Sequence, residues 1–282
     1  MRAIPVRLGR VLALVALVVV AGCGSGRVVL PFVLEGRTLA LPREARALAS
    51  TEAAVRGISA LMLADLGLPV PGRFTVYVYS GRANFEHGLV HDANLSPMRA
   101  AELSEFAVGI GKRRQLLLND EAAGGREWLR LIAHELAHVA QIELAQGEGR
   151  AEQWLAEGMA EWVAFTVLER LSLDTVVNRR ALATAGIRNH AALVAARLDL
   201  ETLGNPRGFT VRHLREGSLP TYQLAFLMAD YLIERDGFDR VVDYFRSFAR
   251  RQDRHANFRQ VFRQGLDEFE REVLAHLKTL VD

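Results

Sequence analysis

The 282-residue chain predicts an α+β fold, with a small sheet in its N-terminal half and a helical body after it. Two observations carry that expectation. Residues 74–118 hold short β-branched, aromatic or leucine-rich runs separated by turn residues, as paired strands require. From residue 126 onward, apolar side chains recur at three- and four-residue spacing, the period of a helix with one buried face. Strands followed by helices, rather than alternating with them, segregate into α+β architectures. Half of the residues are hydrophobic and 24% are charged, ample material for a core at this length. No composition shift, repeat or low-complexity tract divides residues 28–282, which read as one unit.

The first element is not part of that unit. Arg2, Arg7 and Arg10 precede an unbroken apolar run, Val11 to Ala21. As a helix this run spans about 16 Å, half of a bilayer core. A basic start and a short apolar stretch read as a secretory signal over residues 1–22. Val20-Ala21-Gly22-Cys23 resembles the lipobox of bacterial lipoproteins. The resemblance implies cleavage before Cys23, a lipid on Cys23 and a tether over residues 23–27. With Gly24 next, it also implies the periplasmic face of the outer membrane. Cys23 is the only cysteine, so a disulfide framework is excluded. The formal charge is +2; without residues 1–22 the chain holds 32 basic and 33 acidic side chains. Such a balance carries no electrostatic footprint for nucleic acid.

The elements then follow in order. Residues 43–66 have helical spacing and stop before Gly67-Leu68-Pro69. Phe74 to Tyr79 reads as a strand. Residues 82–105 read as a helix and a loop around Ser96-Pro97. Phe106–Ile110 and Gln115–Leu118 read as strands joined by the basic turn Gly111-Lys112-Arg113-Arg114. Helices are expected over 126–146, 153–170, 176–199, 220–235, 238–250, 256–264 and 267–280, with 199–220 as a loop.

Within the helix 126–146 stands His134-Glu135-Leu136-Ala137-His138. Residues i and i+4 lie one above the other on a helix face, so both imidazoles can meet one ion. The pattern is that of a zinc helix with Glu135 as general base. Its flanks, Leu129, Leu131, Ile132, Leu136, Val139 and Ile142, are apolar. Polar groups in such surroundings need partners, and Zn2+ is one that two imidazoles accept. A third ligand is required. The next helix places Trp154, Glu157, Glu161, Ala164 and Leu168 on one face. Glu157 is the expected third ligand, with Gly158 admitting close approach to the first helix. Glu161, one turn on, is the expected acceptor for a ring proton of a ligand histidine.

These residues resemble a known group. His134, His138 and Glu157, with 18 residues between the last two, match the spacing of gluzincin metallopeptidases. Trp154-Leu155-Ala156-Glu157-Gly158-Met159-Ala160-Glu161 resembles the W-L-x-E-G-x-A-E stretch of the peptidase MA-like superfamily. The resemblance implies a zincin-like fold with the active-site helix between sheet and helical body, and zinc-dependent hydrolysis of peptides. It also implies that a later tyrosine, here Tyr222, donates to the oxyanion; His213 is a rival for that role. It further implies that a strand, here Gln115–Leu118, pairs with the substrate backbone. The G-x-M-E-N segment that holds a substrate amine in aminopeptidases has no counterpart in residues 100–125, where the nearest text is Val108-Gly109-Ile110-Gly111. His87 and His91 read as polar loop or helix-end residues, and Lys112–Arg114 as a solvated turn. The alternative function is a catalytically inactive lipoprotein of the same fold, acting as a binding or assembly factor.

Overall fold

The sheet is built from strands far apart in the chain. In a computed structural model, residues 26–281 are described except 36–38, 123, 149 and 195–197. The signal segment, Cys23 and most of the tether lie outside the described residues. Strands β1 (Arg27–Val33), β2 (Arg73–Tyr79), β3 (Gly109–Lys112) and β4 (Gln115–Asn119) order as β1-β2-β4-β3. β2 and β4 are parallel, and the two outer pairs are antiparallel. β1 was not anticipated. Pro31 interrupts its pattern, and a proline is tolerated there because β1 is an edge strand.

Alternation gives the sheet two faces. Phe32, Phe74, Val76, Leu116 and Leu118 join the main core, while Tyr79 and Leu117 join a smaller cluster with Phe85, Leu89 and Ala100. The main core lies beneath α1 (Thr51–Leu66) and α4 (Gly125–Leu144), the smaller beneath α2 (Arg82–His91) and α3 (Pro97–Ser104). α3 starts where Ser96 Oγ accepts from Arg99 N at 3.3 Å and Pro97 occupies the first turn. Phe106 and Ala107 belong to the end of that helix, since both donate to Leu103 O. The strand expected over 106–110 therefore begins at Gly109, and its turn is Arg113-Arg114, with Arg114 at φ 58°. Lys112 belongs to the strand and donates through Nζ to Ala93 O, not to a solvated turn.

The body comprises α5 (Gln153–Arg170), α6 (Val176–Arg188), α7 (Leu200–Leu203), α8 (Pro206–Glu216), α9 (Ser218–Asp236), α10 (Phe238–Ser247), α11 (Arg254–Phe262) and α12 (Leu266–Val281). The helix expected over 176–199 stops at Arg188, where Asn189 and His190, poor helix formers, follow. The loop expected over 199–220 holds α7 and α8 instead. Asp199 and Asn205 cap these two through side-chain oxygens, and Pro206 opens the second. None of the described helices is long and apolar enough to cross a membrane.

α4 packs on β3 at one side and α5 at the other, and α5 packs on α9. Gly158 serves the second contact rather than the first. A Cβ there would stand 2.6 Å from Ala229 Cβ and closer still to Ala225 O, both on α9. The start of α5 is held by Trp154, which is fully buried and stacks on Phe269 with ring centroids 5.5 Å apart. Burial of a side chain this size stabilises by about 3 kcal/mol. It pins the helix one turn before Glu157.

Candidate metal centre

Two polar stripes face each other across the α4–α5 contact. On α4, Glu127, Arg130, His134, His138 and Gln141 repeat at three- and four-residue spacing; on α5, Gln153, Glu157 and Glu161 do the same. His134 Nε2 and His138 Nε2 lie 3.1 Å apart, and Glu157 Oε2 lies 3.3 Å from each. Ligand atoms held tetrahedrally about 2.0–2.1 Å from a zinc ion are themselves about 3.3–3.4 Å apart. The three atoms therefore form one face of a tetrahedron of that size. Glu157 Oε2 is buried and has no hydrogen-bond partner. An orphaned carboxylate oxygen between two imidazole nitrogens is costly unless a cation joins them. His134, His138 and Glu157 are a buried group that can hold a metal ion.

The surrounding groups orient these ligands. His138 Nδ1 stands 3.0 Å from Gln141 Oε1, and Gln141 Nε2 donates to Ala156 O. An amide anchored in that sense presents its oxygen, so the proton sits on Nδ1 and Nε2 is left as ligand. Gln153 Nε2 donates to Glu157 Oε1 at 2.7 Å, which turns Oε2 towards the histidines. Glu161 Oε1 lies 3.4 Å from His134 Nδ1, and Arg130 Nη1 donates to both Glu161 oxygens at 2.8 and 3.0 Å. Burial opposes charge on His134, yet the Glu157 and Glu161 carboxylates outweigh it and push the imidazole up to about 10. Burial pushes Glu157 up, but His138 and His134 hold it far below the usual carboxylate range. Burial likewise opposes ionisation of Glu161, and His134 and Arg130 override it. The donors are arranged for positive charge at their centre.

Glu135 is 6% exposed, and its Oε2 accepts from Gly111 N at 2.7 Å. That contact identifies the open sheet edge. Asn119 N donates to Val108 O, so the antiparallel alternation turns the backbone groups of Gly109 and Gly111 away from β4. β4 itself is enclosed between β2 and β3, so Gln115–Leu118 cannot take a substrate strand. β3 is the edge that lies over the centre. It lies flat on α4 because residue 111 has no side chain: a Cβ there would stand 3.0 Å from His138 Cβ and closer still to Glu135 O.

Two cavities, of about 320 and 610 Å³, flank the centre and share Phe106, Gly109, His134, Glu135, His213 and Tyr222. Tyr222 comes from the first turns of α9, with its ring centroid 6.2 Å from that of His134. Burial, and then the Glu157, Glu135 and Glu161 carboxylates, raise its phenol well above the ordinary value and keep it a donor. His213 is a buried residue of α8 rather than of the loop expected over 199–220; its ring stands 4.4 Å from Phe106 and 5.8 Å from Tyr222. Burial lowers its pKa and favours the neutral ring. His87 and His91 lie on α2 with their rings 4.0 Å apart, outside the metal-holding group.

The structure thus gathers His134, Glu135, His138, Glu157, Glu161 and Tyr222 into one centre, while Cys23 lies outside the described residues. Arg130, Gln141, Gln153 and Gly111 escaped the sequence reading. The first three extend the two helical stripes by one turn, a signal present in the spacing. Comparison with family models, curated proteins and solved structures finds no match for this chain. What the centre can do follows from its own geometry.

Proposed function

We propose that this chain is a zinc-dependent peptidase of the gluzincin type, held by a lipid on Cys23 at the bacterial envelope. One observation carries the reading: three ligand atoms spaced 3.1–3.3 Å apart, with a further buried acid, Glu135, beside them in an open cleft. Structural zinc sites are closed by four protein ligands rich in cysteine, whereas three ligands leave a position for water or substrate. His134, His138 and Glu157 would hold the ion. Bound zinc supplies Lewis acidity and brings the pKa of a water towards about 7.

The rest is the work of side chains. Glu135 accepts the proton of the attacking water and later delivers it to the leaving amine. Gly111 N–H fixes one oxygen of Glu135 and leaves the other for that exchange. Tyr222 and the neutral ring of His213 supply donors for charge that develops on the carbonyl oxygen. The outer edge of β3, half-buried beside the two cavities, would border a peptide that runs across the centre. No acid in β3 takes the place of an amine-binding carboxylate, which favours cleavage within a chain.

Metal content and turnover of a broad peptide library, measured together on the mature chain and on Glu135→Gln, test the reading. One zinc per chain in both, with cleavage confined to the parent, is the expected result. Full turnover by the variant, or a parent that binds no zinc, would refute it.

A further inference from the structure

Helix α8 serves two surfaces. It turns Phe209 and His213 into the cleft and holds Val211 and Leu214 outward, 54% and 65% exposed. Leu219, at the start of α9, is 68% exposed and lines the larger cavity with Val108 and Leu182. Exposed apolar residues scattered singly need no explanation, but a group around a cleft does. The same helix carries Arg207, Arg212 and Arg215 against one acid, Glu216, which pairs with Arg215. Arg207, exposed one and two turns before Val211 and Leu214, suits anionic lipid head groups.

The sheet connects the start of β1, next to the tether, with the cleft. Arg27 lies opposite Tyr79, Tyr79 opposite Asn119, and Asn119 N donates to Val108 O. One row of residues therefore crosses all four strands from the start of β1 to the cleft. At about 4.8 Å per strand the row is roughly 14 Å long. Cys23 stands four residues before Arg27, a reach of at most about 14 Å. A lipid on Cys23 is therefore held within about 28 Å of Val108 at the cleft.

We propose that α8 and the first turn of α9 dock on the lipid surface that anchors the chain. Val211, Leu214 and Leu219 enter the headgroup layer, Arg207 meets anionic head groups, and the cleft opens along the membrane surface. This rests on the reading of Cys23 as the lipid-bearing residue and not on the peptidase chemistry.

Depth measurement tests it. Cys23 is the only cysteine and its sulfur carries the lipid, so Val211→Cys, Leu214→Cys or, as reference, Leu63→Cys on α1 gives one reactive thiol. The mature lipidated variants are labelled with an environment-sensitive fluorophore and placed in phosphatidylethanolamine/phosphatidylglycerol vesicles. Blue-shifted emission at 211 and 214, quenched by spin-labelled lipid, is expected, with water-like emission at 63. Water-like, unquenched emission at all three would overturn docking, provided the mass of the N-terminal peptide shows the lipid. A peptide mass without lipid would instead overturn the anchor, and the proposal with it. Peptide turnover by the same variants reports separately on the peptidase reading.

Discussion

Gly111→Ala tests how the sheet edge and α4 depend on each other. The added Cβ would stand 3.0 Å from His138 Cβ and 3.2 Å from the carbonyl carbon of Glu135, with the Glu135 oxygen nearer than either. Carbon atoms in good contact are about 3.5–4.0 Å apart, so β3 must retreat from α4 by roughly 1 Å. Both obstacles belong to α4, at Glu135 and His138, and the backbone oxygen cannot turn aside. Overpacking of this kind costs about 1–3 kcal/mol. For a domain of this size, each kcal/mol lowers Tm by about 2–4 °C. The retreat also stretches the 2.7 Å bond from Gly111 N to Glu135 Oε2, and a misplacement near 1 Å can cost about 100-fold in rate. The three proposed ligands come from α4 and α5, so zinc content should stay at the parental level. Gly147→Ala is the control, since a Cβ there meets nothing within 4 Å. Calorimetry, metal analysis and peptide turnover on the three proteins give the answer. A Gly111→Ala protein with parental Tm and turnover would refute the claim that this contact orients the base.

Other outcomes follow from single groups. Tyr222→Phe should keep zinc and lose roughly 100-fold to 1000-fold in kcat with little change in KM, as measured by steady-state kinetics. Glu161→Gln removes the anion beside His134 Nδ1 and leaves Arg130 with Glu127 as its ion-pair partner; zinc affinity should fall about 10–100-fold in a competitive chelator titration. Glu152 is fully buried beside Arg254, and burial, only partly offset by that guanidinium, pushes its carboxyl up to about 7. A carboxyl raised on folding favours the protonated native state, so its contribution is complete below the unfolded pKa near 4.5 and is lost as pH rises through about 7. Glu152→Gln should therefore match the parent near pH 4.5 and exceed it by roughly 3 kcal/mol at pH 8. Chemical denaturation at the two pH values decides this, and equal differences at both would contradict it.

The parts of the centre that lie along one helix were legible in the sequence; the parts that meet across elements were not. α4 and α5 are long, and their polar stripes stand out against apolar flanks, so spacing alone proposed His134, His138, Glu157 and Glu161 as one set. α8 offered less. Its outer face mixes Arg207, Val211, Leu214 and Arg215, all exposed, so no apolar stripe distinguishes inside from outside. Phe209 and His213, one turn apart, form its buried face, and Asn205-Pro206 was the one local sign of a helix start. The place of His213 beside Phe106 and Tyr222 depends on contacts between α3, α8 and α9 that no local pattern encodes.

Strand order shows the same limit and its remedy. Gln115 to Leu118 is recognisable as a strand, but alternation says which face a residue takes and nothing about which strands lie beside it. The partners come from long-range pairing, and they enclose β4 while leaving β3 at the edge. A sequence sign of that outcome does exist. Gly109-Ile110-Gly111 places two residues without Cβ on one side of a short strand, and a glycine inside a strand marks close approach of another backbone. Here that backbone is α4 at Glu135, and of the two glycines only Gly111 meets the helix backbone itself. The glycine that lets the edge settle on α4 also delivers its N–H to Glu135, so one missing side chain serves packing and chemistry together.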